Sequence, residues 1–327
     1  MQIRHVLGKA AMLFAIGAAG CSAAWAQGYP QRPVTIVVPF PAGGPSDGYT
    51  RLIAQRLHAT LGQPFIVDNR PGATGMIGTT AVARAKPDGY TILLGSNSSH
   101  IISPLMRANP PYDPLRDFEP ITILGRYPFC LLVNNDVPVT SVKEFIALAK
   151  AKPDKLFYGS IGEGSGTHLM AEMFKQKAGI ELVHVPYKGG GAVNTALIAG
   201  DIQAYFDGIG SARRFVESGR LRALAVTGTS RSSLLPNVPT LAESGLQGFD
   251  PTIWLGMFAP RGTPEAVVQI LYREIKKVLD TDPEVRKHFA DTGTEILGLD
   301  SRQVSETLRT EQAAWKALAD RLNIRLE

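Results

Sequence analysis

Three observations predict an α/β protein of doubly wound sheets arranged in two lobes. Strand-like and helical patterns alternate along nearly the whole chain. Three glycine-rich loops each join a strand to a helix. Those loops fall in two separate blocks of the sequence. The length of 327 residues agrees, because a single core stops growing at roughly 250–300 residues. Ligands of open α/β sheets sit beyond the carboxyl ends of the strands. Loops of this kind in two blocks therefore place a pocket between two lobes.

The first element is an export signal, set aside from the fold. Arg4 and Lys9 form a positive start, Ala10–Gly20 an apolar run, and Ala24-Trp-Ala26 a small-residue cleavage site before Gln27. The alternative at this end is lipidation of Cys21 after Ala-Ala-Gly20. The apolar run is too short to span a bilayer, and no later stretch reaches the roughly 18 apolar residues a membrane helix needs. The mature chain is expected in the periplasm. It retains only Cys130, in the apolar run Phe129–Leu132, which reads as a buried structural thiol. The formal net charge of +5 comes without any Lys/Arg run or aromatic-interleaved basic patch, which argues against nucleic-acid binding.

The fold begins at Val34–Gly48. The β-branched run Val34–Val38 reads as a buried strand and Pro39–Gly44 as a loop. A helix then starts near Asp47, with Tyr49, Leu52, Ile53, Leu57 and Leu61 on one face and Gly62 as its stop. A strand–loop–helix junction aims free N–H groups and a helix dipole at an anion. Gln63–Val67 is a short strand, and Asn69–Gly75 a turn into a helix over about 76–86 that ends before Pro87-Asp-Gly89. Tyr90–Leu94 is a buried strand followed by a polar loop, Gly95–His100. Residues 109–117 are a Pro/Asp-rich loop, and Phe118–Leu124 and Phe129–Val133 are extended.

The alternation resumes with the capping box Ser141-Val-Lys-Glu144 before a helix. Lys155–Tyr158 is a strand, Gly159–Gly166 the second glycine loop, and Thr167–Ala178 a helix stopped by Gly179. Val183–Val185 is a strand, and Tyr187–Gly191 the third glycine loop before a short helix ending at Gly200. Ile202, Ala204 and Phe206 alternate as a strand up to Asp207, and Leu221–Val226 is another. Thr240-Leu-Ala-Glu243 is a further capping box, and Ile253–Ala259 is extended. Thr263-Pro264 opens a long helix, and a last amphipathic helix from about Ser301 turns Val304, Leu308, Trp315 and Leu318 inward.

Several stretches resemble the solute-binding proteins of tripartite tricarboxylate transporters, the Bug-type receptors. They are Pro39-Phe-Pro-Ala-Gly-Gly44 with Ser46-Asp47, Asn69-Arg-Pro-Gly-Ala73, Lys86-Pro-Asp-Gly-Tyr90 and Tyr112–Phe118. Further along are Tyr158-Gly-Ser160 with Gly164-Ser-Gly-Thr-His168, Val185-Pro-Tyr-Lys-Gly189 and Leu234–Thr240. The resemblance runs from about Tyr29 to the C-terminus. It implies a type II periplasmic-binding-protein fold: two doubly wound α/β lobes, two crossing segments and a ligand cleft between the lobes. The crossings are expected near 126–131 and 254–258. The division is then a signal over 1–26, a first lobe over 27–126 and 258–327, and a second over 127–257.

The resemblance also implies function. Such receptors capture a small organic carboxylate (di- or tricarboxylate, aromatic carboxylate or amino acid), act as monomers and dock transiently on integral-membrane transporter subunits. No cofactor is implied. One expected clamp is Phe40, Ala42, Gly43, Gly44 and Ser46; the other is Ser160, Gly164, Ser165, Thr167 and His168. Ser96 in the polar loop and Lys188 with Gly189 in the third glycine loop join the candidate contacts. Pro45 stands where a small residue is expected and removes one amide donor. Thr74 and Met76 replace the expected glycine and asparagine. Asp47 reads as a helix cap, although a ligand amine could instead meet Asp47 or Asp207. His58, His100, His184 and His288 lack metal-ligand spacing.

An enzyme is the competing class. Gly44-Pro-Ser46-Asp-Gly48 matches the G-x-S-x-G nucleophile turn, so an exported serine hydrolase using Ser46, with His288 and a late acid, is the alternative. Against it, the loop before Ser46 is longer than a nucleophile elbow, and no His-Gly-Gly oxyanion motif precedes it. A phosphate-binding loop is disfavoured because no G-x-x-x-x-G-K-[ST] occurs.

Overall fold

The computed structural model describes residues 28–248 and 251–322. The export segment 1–26, its cleavage site and Cys21 lie outside them. The first block runs β1 (Val34–Val38), α1 (Pro45–Leu61), β2 (Phe65–Asn69), α2 (Met76–Ala83), β3 (Thr91–Ser96) and the long β4 (Phe118–Asn134). The second runs α3 (Val142–Ala151), β5 (Phe157–Ser160), α4 (Gly166–Ala178), β6 (Val183–Pro186), α5 (Gly190–Ala199), β7 (Ala204–Gly208), α6 (Ile209–Glu217) and β8 (Leu221–Val226). The chain closes with β9 (Thr252–Pro260), α7 (Glu265–Thr281), α8 (Pro283–Asp291), β10 (Glu295–Ile296) and α9 (Ser301–Leu322).

β1 is flanked in parallel by β2 and β3, so the crossovers through α1 and α2 bring later strands to its two sides. β9 adds antiparallel to β3, and β4 to β9. In the second sheet β5 lies in parallel between β6 and β7, while β4 runs antiparallel to β7 and β8. β4 belongs to both sheets. It pairs with β9 as far as Pro128↔Thr252 and with β7 from Phe129↔Gly208 onward. Its 17 residues replace the two shorter extended segments expected from the sequence. β9 lies in the first sheet along its whole length. The chain therefore returns there by Thr252, ahead of the expected 254–258.

Each sheet has its own core. Ile36, Ile53, Leu57, Leu94, Met257 and Leu271 pack together in the first. Phe129, Leu131, Phe145, Phe174 and Phe206 pack in the second. Tyr127, at the point where β4 changes partners, packs against both.

Local signals explain most boundaries. Ser141 caps α3 by accepting the Glu144 N–H at 3.2 Å, and Glu144 reaches back to the Thr140 N–H at 2.6 Å. The Thr240/Glu243 box forms the same reciprocal bonds, 3.0 and 2.7 Å, but closes only a turn over 241–245. The cap is satisfied, yet Gly245 at φ 97° ends the segment before a helix can propagate. α8 was not anticipated. Its signal was Asp282-Pro283, with the Asp282 carboxylate accepting from the Glu284 and Val285 N–H groups.

The expected polar loop Gly95–His100 is instead interior. Ser96 ends β3, Ser98–Ile102 form a wide helical turn, and Ser96, Asn97, Ser98, Ser99 and His100 are all buried. The hydroxyls bond to neighbours inside the protein, such as Ser96 with Ser99. His100 stacks on Phe258 at 4.0 Å, and burial pulls its pKa down to about 3. Cys130 is fully buried, and burial, reinforced by Asp207, pushes its thiol up. Ellman's reagent should therefore leave the native thiol unmodified and titrate one thiol per mature chain once denaturant is added. Rapid reaction of the native protein would contradict this burial.

Candidate functional site

The carboxyl ends of β1, β5 and β6 carry the three glycine loops singled out in the sequence, and helix N-termini follow. At α1, Gly44 is the N-cap with no side-chain bond, and Pro45 contributes no N–H, so the amides of Ser46 and Asp47 lead the helix uncapped. At α5, Gly189 is the N-cap, again with no side-chain bond. A Cβ placed on Gly43, Gly189 or Gly191 would meet nothing within 4 Å, so both junctions border open space. Gly43 holds φ 77°, a left-handed conformation that a side chain would strain.

The α1 loop is held from behind. Asp47 is the third residue of the helix, not its cap, and is buried. Its carboxylate accepts the Gly43 N–H at 3.0 Å, Arg51 Nε at 2.9 Å and Asn69 Nδ2 at 3.0 Å. Asn69 also donates to the Phe40 carbonyl at 3.2 Å, which gives the Asn69-Arg-Pro-Gly motif a physical role. Burial pushes the Asp47 carboxyl up, but these donors outweigh it and hold it below its ordinary range. Both oxygens are engaged within the first lobe, in three bonds.

The second expected clamp is also largely engaged within its own lobe. Ser165 caps α4 by accepting the His168 N–H at 3.3 Å, and Thr167 Oγ1 accepts the Ile161 N–H at 3.1 Å. His168 Nδ1 accepts the Gly164 N–H at 3.1 Å. Ser160 bonds to Gly162 and lies 2.6 Å from His184 Nε2. Asp207 accepts from Asn194 Nδ2 at 2.9 Å and from its neighbour Gly208 at 2.9 Å, and burial raises its pKa. Ser96 bonds to Ser99 within the core. Lys188 is exposed beside the open α5 junction, while Ala42 is exposed and Phe40 half-buried at the α1 loop.

The two lobes meet across these loops. Thr74 Oγ1 donates to the Glu163 carbonyl at 3.2 Å, Ser103 Oγ to the Gly164 carbonyl at 3.4 Å, and Gly166 N–H to Ser98 Oγ at 2.9 Å. Thr74 adopts φ 55°, a region a β-branched residue rarely enters. The glycine expected there would sit without strain, so this chain exchanges backbone ease for an interlobe bond. Sequence reasoning missed Tyr127. Its half-buried ring lies 3.6 Å from a Cβ placed on Gly208, and its phenol neighbours Tyr49 and Asp207. No sequence motif marks it, because its position depends on where β4 changes sheets.

Ser46 does not sit on a nucleophile elbow. It is inside the first turn of α1, separated from β1 by Pro39–Gly44, and its carbonyl accepts the Thr50 hydroxyl at 2.7 Å. This relaxed helical geometry corrects the serine-hydrolase alternative, since an elbow needs a strained turn directly after the strand. Among the described residues, no group of three or more His, Cys, Asp and Glu side chains is placed to hold a metal ion, and no helix is long and apolar enough to cross a membrane.

Two α/β lobes joined by crossing strands, each with an uncapped helix N-terminus that borders open space, define a two-lobed solute-binding protein. Residues 49–324 match the family described as "Tripartite tricarboxylate transporter family receptor", and the chain belongs to that family. It is 36% identical over 270 residues to BugT of Bordetella pertussis (strain Tohama I), covering 82% of this chain and 83% of that one. The solved structure of R. palustris Rpa4515 with adipate is similar at TM-score 0.86 and 36% identity, covering 91% of this chain and 99% of the other. MatC (Rpa3494) from Rhodopseudomonas palustris with bound malate is similar at TM-score 0.83 and 31% identity, covering 89% and 99%.

Proposed function

We propose that this protein is an exported, periplasmic, monomeric receptor that captures a small organic carboxylate between its lobes and delivers it to the membrane subunits of a tripartite tricarboxylate-type transporter. The observation that carries this reading is the pair of uncapped helix N-termini, α1 and α5, each bordering open space on a different sheet. Backbone amides and helix dipoles favour a carboxylate without a fixed cation, so binding remains reversible enough for hand-over. Gly43, Gly44 and Ser46 form one wall in this reading; Lys188 and Gly189 form the other, with Tyr127 on the floor. The lobes are drawn as 28–128 with 252–322, and 129–251. A ligand touching both stabilises the closed arrangement over the open one. Adipate and malate in related structures support the ligand class.

The test is a thermal-shift panel on residues 27–327 with adipate, malate, succinate, citrate, benzoate and amino acids. A ligand at about 100 times its Kd adds about 2.7 kcal/mol, on the order of 5 °C for a chain of this size. A shift with the compound recovered unchanged is the expected result. No shift with any carboxylate would overturn the reading.

A further inference from the structure

Two imidazoles lie flat against each other beneath the Ser160–Ser165 loop. His168 comes from the first turn of α4 and His184 from β6. Their ring centroids are 4.0 Å apart and their planes within 11°. Tyr158 of β5 also stacks on His184, at 4.9 Å. Each imidazole holds the loop at one atom. His168 Nδ1 accepts the Gly164 N–H at 3.1 Å, which keeps that nitrogen free of a proton. The Ser160 hydroxyl donates to the Gly162 carbonyl at 3.0 Å and accepts the Gly162 N–H at 3.2 Å, so in the 2.6 Å contact with His184 Nε2 the imidazole N–H donates to Ser160 Oγ. The segment held in this way reaches the other lobe, through the Glu163 carbonyl to Thr74 and the Gly164 carbonyl to Ser103.

We propose that His184 is a positioning residue for ligand capture: stacked on His168, it forms a neutral pair that holds the Ser160–Ser165 loop in its interlobe contacts, and a proton on His168 Nδ1 releases the loop. The proposal rests on the receptor reading and extends it to conditions of release. A proton on His168 Nδ1 would convert an acceptor into a donor facing the Gly164 N–H. A proton on both rings would set two charges in stacked rings whose centroids are 4.0 Å apart.

The surrounding groups relieve that charge only in part. From α4, Glu172 accepts the Tyr158 phenol at 2.5 Å and Lys175 Nζ at 2.9 Å, so its charge is already engaged. Lys175 opposes protonation of both rings, and Glu163 on the loop, with Glu172, favours it at His168. Burial dominates at each ring, lowering His168, and lowering His184 to about 3 with help from His168 and Lys175. A histidine whose folded pKa lies below its free value of about 6.5 favours the fold fully above that pH. That contribution falls as pH drops below about 6.5 towards the folded value. The same sign holds between the held loop and a released loop whose imidazole recovers its ordinary value, so ligand affinity should be level above pH 7 and decline as pH falls below about 6.5.

The test measures Kd for adipate and for malate between pH 8 and pH 5, in the native sequence and in His168→Asn/His184→Gln. The asparagine amide oxygen replaces Nδ1 as acceptor for Gly164, and the glutamine amide reaches Ser160 where Nε2 did, but neither titrates. Ionisation of the acid itself enters both proteins equally. The expected result is a Kd that rises about tenfold more from pH 7.5 to 5 in the native sequence than in the variant, the equivalent of one pKa unit of differential protonation. Equal ratios would overturn the proposal. Should the variant not fold, the Gly164 amide resonance of the unliganded native protein serves instead. It should move as pH falls below 6.5 towards the lowered folded value of the pair, and an amide unmoved down to the onset of acid unfolding would overturn the proposal. Failure of both acids to bind at pH 7.5 would count against the receptor reading alone, and the Gly164 resonance would still decide the histidine pair.

Discussion

Asp47→Ala is expected to weaken adipate or malate binding by about 100-fold or more and to lower unfolding free energy by about 2–4 kcal/mol. The carboxylate is the common acceptor for Gly43 N–H, Arg51 and Asn69, and it is buried. Its removal strands two side-chain donors and frees the loop whose shape presents the α1 amides. Asp47→Asn, which keeps one acceptor, should fall between the two. Calorimetric titration with parallel urea melts separates the effects, since stability is read without ligand. The pH response also distinguishes this site from the histidine pair. The Asp47 carboxyl is held below its ordinary value, so its contribution persists above about pH 4 and is lost only as pH falls further. Full affinity in the alanine variant would show that the α1 loop keeps its shape without Asp47.

Gly210→Val is expected to reduce affinity by a similar factor by a different route. Gly210 lies in the first turn of α6, where a Cβ would stand 2.8 Å from Thr292 Cα and 3.0 Å from the Thr292 carbonyl oxygen. Both are backbone atoms beyond α8, in the part of the chain that packs with the first sheet. Neither can rotate aside, so relief comes from moving the lobes apart. Because neither core is entered, the stability change should be small, within about 1 kcal/mol. Affinity should drop about 100-fold, since closing would require about 2.7 kcal/mol more, the arithmetic of two decades in a binding constant. Small-angle scattering with saturating adipate should show the variant more extended than the native protein. Equal scattering and equal affinity would mean that α6 yields locally.

Much of this architecture is legible in local chemistry. β1 and β8 fall at the residues their β-branched and apolar runs indicate. α1, α4 and α5 stop at Gly62, Gly179 and Gly200, each in the left-handed conformation. The motifs marking the family are legible for the same reason, because each is a loop whose backbone geometry restricts its residues. Less legible was everything that depends on a partner distant in sequence. The run Gly95–His100 reads as polar loop, yet it is interior, since Ser96 and Ser99 bond to each other and Ser98 Oγ accepts the Gly166 N–H from the other lobe. Ser165, Thr167 and His168 read as ligand groups, and Asp47 as a helix cap or an amine partner. The structure commits the polar atoms described here to internal bonds, some to their neighbours and some to Arg51 and Asn69.

The sequence by itself determined the strand–helix alternation, the glycine junctions that open helix N-termini to an anion, and the family to which the chain belongs. These depend on periodicity, capping and turn chemistry, interactions that reach only a few residues along the chain. Only the tertiary structure decided which of those N-termini remain uncapped, that Tyr127 bridges the two cores, that Thr74 reaches Glu163, and that His184 lies against His168. Each is a meeting of groups brought together by strand pairing across the sheet. That pairing is settled by burial of both cores at once, which no local pattern encodes.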